Sequence, residues 1–127
     1  MLHFIVEHFD TDIEKVILRQ HLLAVIVREE IEKLSGERIT RSGSDLYHKK
    51  GKLSVSVATV SPISSLIHFG INVSTEGVPV AASGLIRLGI SPAQLAKRVS
   101  ASYTAEVDRV ACARVRVRTC NISSDCR

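Results

Sequence analysis

The chain has 127 residues, a length typical of one domain, and a chain of this size buries roughly two-thirds of its unfolded surface without a disulfide or a metal. Apolar residues make up 45% of it, but aromatics only 4% and tryptophan is absent, so the core must be built from Val, Ile, Leu and Ala. The formal net charge of +4 suits an anionic cofactor, a nucleic acid or an acidic partner protein, without selecting among them.

Three cysteines occur, Cys112, Cys120 and Cys126, and none forms a C-x-x-C pair. This odd, sparse count argues against a disulfide framework and favours a reducing compartment, and it supplies no zinc constellation. The N-terminus lacks the basic region of a signal peptide. The longest stretch without Asp, Glu, Lys or Arg, from Leu53 to Thr75, is rich in Ser and Thr and strand-like, so we expect a cytoplasmic protein with no membrane span and no bound metal.

The first elements are a strand and a long helix. Leu2 to Phe9 alternates loosely between apolar and polar residues, which is typical of a strand. Thr11 followed by Glu14 resembles a capping box and predicts a helix over Asp12 to Leu34, which Gly36 ends in the left-handed conformation.

The middle of this helix, Leu22 to Val27, is apolar almost all round. We therefore expect it to lie between the sheet and another surface, such as a partner subunit. Charged residues near its end predict a solvated face: Arg28, Glu29, Glu30, Glu32 and Lys33.

The centre of the chain predicts a hairpin and a returning strand. Asp45 to His48 reads as a short strand, and Lys49-Lys50-Gly51 closes a turn. Lys52 to Ser61 alternates, with Leu53, Val55 and Val57 on one face, and Pro62 ends it. Ser64 to Val73 is the returning strand.

A loop over Ser74 to Ser83 leads to the second helix, which Ser91 caps and Pro92 begins. We expect this helix to end near Ala113. Arg114 to Arg118 alternates with period two and is either the helix tail or a short edge strand. Residues 119–127 are predicted to be a disordered tail after a single domain over residues 1–118.

Lys52 is the first candidate functional residue. A lysine that follows a glycine turn and opens a strand can direct its ammonium group along the sheet, where it would hold a carboxylate or a phosphate. Asp45 lies on the other arm of the hairpin, near enough to pair with it. An ordinary cross-strand ion pair explains the same spacing.

The second candidate is the run His68-Phe69-Gly70-Ile71-Asn72-Val73. Gly70 inside a strand permits the close approach of a ligand or of another backbone, and Asn72 could bind a substrate amide or a buried backbone group. A strand with a bulge is the structural alternative.

The segment S-D-L-Y-H-K-K-G-K-L-S-V-S-V-A, with H-F-G-I-N-V about ten residues later, resembles the central motif of the biotin/lipoate protein ligase superfamily, which includes biotin ligases, lipoate ligases and octanoyltransferases. From about Arg41 to Gly89 the chain is more closely similar to an uncharacterised prokaryotic family placed in that superfamily.

The resemblance implies roles for particular residues. Lys52 matches the catalytic lysine that contacts the acyl-adenylate, Asp45 an aspartate beside the same site, and Asn72 the strand asparagine. Ser54, His68 and Gly70 would complete the substrate site. ATP or an adenylate is implied as cofactor only by this resemblance, and the partner would be a small carboxylic acid or its acyl-adenylate.

The sequence also departs from the superfamily pattern. Ser44 replaces an asparagine, and Ser54-Val55 stands where a small residue and glycine are usual. Pro79 to Ser83 contains no thiol for thioester chemistry. Residues 1–40 supply no glycine-rich phosphate loop.

The sequence thus predicts an α+β fold, with a mixed or antiparallel sheet and two long helices packed on one face. The leading hypothesis is a ligase-like protein that binds a small carboxylic acid or its adenylate. One alternative is a non-catalytic relative that forms a homodimer. Another, which the lack of stacking aromatics disfavours, is a nucleic-acid binder using basic residues of the last third: Lys97, Arg98, Arg109, Arg114, Arg116 and Arg118.

Overall fold

The computed structural model describes residues 1–74 and 83–117. It contains six strands and two helices within those residues: β1 (Leu2–His8), α1 (Ile13–Ser35), β2 (Thr40–Ser42), β3 (Asp45–His48), β4 (Gly51–Lys52), β5 (Ser54–Val60), β6 (Ser65–Ile71) and α2 (Pro92–Arg116). The predicted α+β class with two long helices is confirmed. The predicted tail and most of the predicted loop before α2 lie outside the described residues.

Both sheets are antiparallel. In the first, the strand order is β1-β6-β5, and in the second it is β2-β3-β4. Helix α1 packs against β5 and β6, and α2 packs beside α1 and against β1. The two helices therefore cover one face of the first sheet.

Leu53 is the junction between the sheets. Its backbone N–H donates to Leu46 O in β3 over 2.8 Å, and its carbonyl accepts from Asn72 N beyond β6, also over 2.8 Å. The predicted hairpin turn at Lys49-Lys50-Gly51 and the returning strand are present, but the strand predicted over Lys52 to Ser61 is interrupted at Leu53. Strand β3 pairs with β2 on one side and with the two residues of β4 on the other, whereas β5 pairs with β6 along its whole length.

The ends of α1 are set by local chemistry. Asp12, not Thr11, is the N-cap, and its carboxylate accepts from Lys15 N over 3.1 Å. Its side chain thus satisfies one of the backbone donors left free at the helix start. Gly36 ends the helix at φ 72°, as predicted, and its N–H donates to Glu32 O.

The polar face of β5, rather than its valine face, lies against α1. Ser54 is buried and Ser56 is half-buried, whereas Val55 and Val57 are 53% and 61% exposed. Gln20 on α1 donates its side-chain amide to Ser56 Oγ over 2.8 Å, so hydrogen bonds take the place of apolar contacts here. Leu53, predicted to share the valine face, lies outside the strand and is fully buried.

The middle of α1 is buried within this one chain, with Leu23, Ala24, Ile26 and Val27 at 4% exposure or less. The predicted solvated face was wrong for Glu30, which is 4% exposed. Its carboxylate accepts from Arg98 Nε over 2.7 Å and from Ser102 Oγ over 3.2 Å, both on α2. A charge at this position can be buried because the neighbouring helix brings a cation to it.

Helix α2 extends beyond the predicted end at Ala113 and finishes at Arg116, so Arg114 to Arg116 form its tail and not an edge strand. Every residue from 108 to 117 is exposed. No helix among residues 1–74 and 83–117 is long and apolar enough to cross a membrane.

Candidate functional site

Lys52 and Asp45 meet on one face of the second sheet. Tyr47 pairs with Lys52 across β3 and β4, and Asp45, two residues before Tyr47, shares its face. Lys52 Nζ lies 3.5 Å from Asp45 Oδ1, and the two side chains are 45% and 39% exposed. The predicted ion pair is therefore formed, and both of its members are open to solvent.

Asn72 fixes the backbone at Lys52. Its side-chain amide donates to Lys52 O over 3.0 Å, and its own carbonyl accepts from Leu85 N over 2.9 Å. Asn72 thus holds the main chain of Lys52 in place, and both are predicted site residues. Two partners were expected for Asn72, a substrate amide or a buried backbone group. The observed contact is to a backbone group.

Ser54 lies behind this group at 2% exposure. Its hydroxyl accepts from Leu46 N over 3.0 Å and so links β5 to β3. Its side chain ties the two sheets together beside Lys52.

His68 and Gly70 lie on the open face of the first sheet, away from the helices. His3 Nδ1 is 2.8 Å from His68 Nε2. A Cβ at Gly70 would stand 2.8 Å from Met1 Sδ, so the absence of a side chain leaves room for Met1 to lie over the strand. Among the described residues this close approach at Gly70 is made by the Met1 side chain, whereas the prediction named a ligand or another backbone.

Together with Val55 and Val57, these residues line a shallow depression of about 100 Å³. Gly70 pairs with Val55 in the sheet register, three residues after Lys52. The structure therefore brings the predicted residues to the same end of the first sheet in two groups: Lys52 with Asp45 and Asn72, and His68 with Gly70.

A larger cleft of about 350 Å³ lies elsewhere, between β1 and α2. On its wall, His8 Nε2 is 2.9 Å from Tyr103 Oη. Burial and the charge of Arg19 lower the pKa of His8 from 6.5, and burial raises the pKa of Tyr103 from 10.0. This cleft was not predicted, because it is formed by side chains that are distant in sequence.

A third polar group, which was also not predicted from the sequence, contains Glu37, His48 and Ser83. Ser83 Oγ is 3.2 Å from His48 Nδ1, and His48 Nε2 is 3.7 Å from Glu37 Oε2. The three residues come from three separate segments, so no local spacing indicates their proximity.

Two further observations bear on ligands. Across the described residues, no group of three or more His, Cys, Asp and Glu side chains is arranged to hold a metal ion. Of the basic residues considered for nucleic acid, Arg98 is bound to Glu30 and Arg109 to Glu106, while Arg118 lies outside the described range.

Comparison with solved structures defines the class of fold. A biotin protein ligase from Aquifex aeolicus in complex with biotin and ATP superposes with a TM-score of 0.67 at 16% identity, over 85% of this chain and 51% of that one. The chain therefore has a biotin protein ligase-like fold, as its motifs predicted.

The family model for DUF366, a domain of unknown function, matches residues 1–118, and the chain belongs to this family. An uncharacterized protein of Methanocaldococcus jannaschii is 38% identical over 112 residues, which are 86% of this chain and 50% of that protein. A protein of unknown function from Pyrococcus horikoshi has a TM-score of 0.88 at 38% identity, over 94% of this chain and 64% of that one. The chain thus spans about half the length of the curated relative.

Proposed function

We propose that this protein binds a small carboxylic acid or its adenylate, with the Lys52 ammonium group as the anion anchor. The observation that carries the proposal is the open Lys52–Asp45 pair in a biotin protein ligase-like fold. An acid or its adenylate would present an anion to Lys52, and the likeness to a ligase solved in complex with biotin and ATP supports that class of ligand.

The geometry of the pair suits exchange of one anion for another. An ion pair with both members about 40% exposed is stabilised by roughly 0–1 kcal/mol, so a ligand carboxylate or phosphate can replace Asp45 at little cost. Lysine is a compact cation with a flexible stem, which allows the ammonium group to follow the incoming anion.

The proposal assigns separate tasks to the other residues. Asn72 keeps the backbone of Lys52 in place through its bond to the Lys52 carbonyl. On the buried side, Ser54 joins β5 to β3 and so supports the backbone on both sides of Lys52. His68, Gly70 and the exposed valines would form the wall for the apolar part of the acid on the open sheet face.

If the protein also activates the acid, Lys52 would stabilise the negative charge that develops between carboxylate and α-phosphate. ATP–pyrophosphate exchange, measured with a panel of acids that includes biotin, lipoate and octanoate, tests this step. Exchange that depends on one acid is the expected result for a ligase. Binding without exchange would leave a binding protein, and the absence of both would refute the proposal.

A non-catalytic dimer is the second candidate, and the open sheet face favours it. Ile5, Val55 and Val57 are 73%, 53% and 61% exposed on that face. The apolar middle of α1, which first suggested a dimer, is largely buried within the chain. Sedimentation at micromolar concentration tests this candidate, and a monomer would count against it.

A further inference from the structure

We propose that Ser83 is a nucleophile that accepts an activated acyl group, with His48 as its general base and Glu37 as the residue that positions His48. This inference goes beyond the binding of an acid at Lys52. It rests on the contacts of these three side chains.

Backbone contacts of Ser83 and of the next residue hold Ser83 in position. Its N–H donates to Lys52 O over 3.1 Å. The next residue, Gly84, passes so close to the chain after β6 that a Cβ there would stand 2.7 Å from Val73 O. Any side chain at Gly84 would push the segment away, so glycine is required for Ser83 to reach His48.

His48 is oriented to take the serine proton. Its Nδ1 lies 3.2 Å from Ser83 Oγ, within reach for proton transfer. A neutral imidazole that accepts at one nitrogen carries its proton on the other. Here the other nitrogen, Nε2, is buried and has no hydrogen-bond partner within residues 1–74 and 83–117.

Glu37 is the acid that faces this unpartnered nitrogen, at 3.7 Å from Nε2. Its side chain is 53% exposed and can move the short distance needed to form a hydrogen bond. When His48 becomes positively charged, the carboxylate stabilises it. The three side chains thus stand next to one another in space as a nucleophile, a general base and an acid that orients the base.

The reaction is an acyl transfer. Ser83 Oγ attacks the carbonyl carbon of the donor as His48 Nδ1 removes the hydroxyl proton. The bond from that carbon to the leaving group breaks, and His48 returns the proton to the leaving group. An ester on Ser83 remains, which water or an amine then cleaves to release the acyl group. The donor class is an activated acyl group with a good leaving group.

This group is distinct from the Lys52 pair. His48 and Leu46 alternate with Asp45 and Tyr47 along β3, so His48 lies on the face of the second sheet opposite to Lys52. Failure of acid binding at Lys52 would therefore leave the proposal for Ser83 unaffected.

The test is acetylation by p-nitrophenyl acetate, a small donor chosen because Ser83 is only 4% exposed. Release of p-nitrophenol is followed under single-turnover conditions, and the modified residue is located by peptide mass spectrometry. We expect one acetyl group on Ser83, none at that position in Ser83→Ala, and a rate about 100-fold lower in His48→Gln.

Glu37→Gln provides the second test, because Glu37 is on the surface and its change should leave the fold intact. We expect at least about a tenfold slower acetylation of Ser83 in this variant. Ser64→Ala is the control, since Ser64 is also buried and hydrogen-bonded but lies in the β5–β6 turn, and it should react like the parent protein. The proposal is overturned if Ser83 is not acetylated, or if Glu37→Gln reacts as fast as the parent.

Discussion

The side-chain amide of Asn72 donates to the backbone carbonyl of Lys52 over 3.0 Å and so joins the end of β6 to the strand that carries the candidate anion anchor. The same carbonyl accepts the N–H of Ser83 over 3.1 Å. The position of Lys52 therefore depends on two segments that follow it in the chain. A change at Asn72 should affect both the stability of the fold and the site.

Asn72→Ala removes the amide bond to Lys52. We expect the free energy of unfolding to fall by about 1 kcal/mol, the usual contribution of one such hydrogen bond. Urea denaturation followed by circular dichroism measures this change. Thr59→Ala, an exposed position on β5, is the control and should change stability by less than about 0.5 kcal/mol. Equal stability of Asn72→Ala and the parent would mean that the bond does not hold the site.

Glu30 should be essential to helix packing although it is charged. Burial raises its pKa, but the hydrogen bond and charge of Arg98, with Lys33 and Ser102, lower it more, and the net pKa lies below 4.5. We expect Glu30→Gln to lower the free energy of unfolding by about 1–2 kcal/mol at pH 7. Glu29→Gln, its exposed neighbour, should have no such effect.

The pH dependence of this effect has a definite sign. Because the folded pKa of Glu30 is lowered, its stabilisation is complete above pH 4.5 and is lost as pH falls through the folded pKa. The difference between Glu30→Gln and the parent should therefore shrink in acid. A difference that stays constant down to pH 3 would contradict the ion-pair explanation.

Asp10 should stabilise the fold in acid over a lower pH range than Glu30. Its hydrogen bond with Arg19, at 2.7 Å, lowers its pKa from 3.8 to about 2. The stabilisation is present above pH 3.8 and is lost as pH falls towards about 2. Asp10→Asn should flatten the decline in melting temperature in this window, whereas Asp108→Asn, on the exposed part of α2, should not. Identical pH profiles for parent and Asp10→Asn would contradict this assignment.

Because the valine face of β5 is exposed, substitutions on β5 and β6 should have very different effects on stability. Val57→Ser should change the free energy of unfolding by no more than about 0.5 kcal/mol, because Val57 is 61% exposed. Ile67→Ala on β6 should cost about 2–5 kcal/mol, because Ile67 is 1% exposed. Urea denaturation of both variants checks the orientation of the sheet. A large loss for Val57→Ser would mean that the valine face is covered, as a dimer would require.

Local signals in the sequence were sufficient to predict much of this fold. The apolar spacing of α1, its stop at Gly36 and the Ser91-Pro92 start of α2 act within one or two turns of the chain, and all were predicted. The Lys52–Asp45 pair was also predictable, because a short turn brings its members together.

Contacts between distant segments were not predictable in the same way. The chain passes from the second sheet to the first at Leu53, because the backbone of Leu53 bonds to Leu46 on one side and to Asn72 on the other. Glu30 is buried because Arg98 reaches it from a helix almost seventy residues later. The proximity of Ser83 and His48 likewise depends on tertiary structure, and no spacing in the sequence indicates it.

The most direct test of the central claim is calorimetric titration of candidate acids and their adenylates into the parent protein, Lys52→Ala and Lys50→Ala. Lys50 is an exposed lysine in the same turn and controls for loss of charge. We predict that at least one ligand binds the parent, that Lys52→Ala weakens its binding at least tenfold, and that Lys50→Ala binds it unchanged. Equal affinity for the parent and Lys52→Ala, or no binding by any of these ligands, would contradict the account.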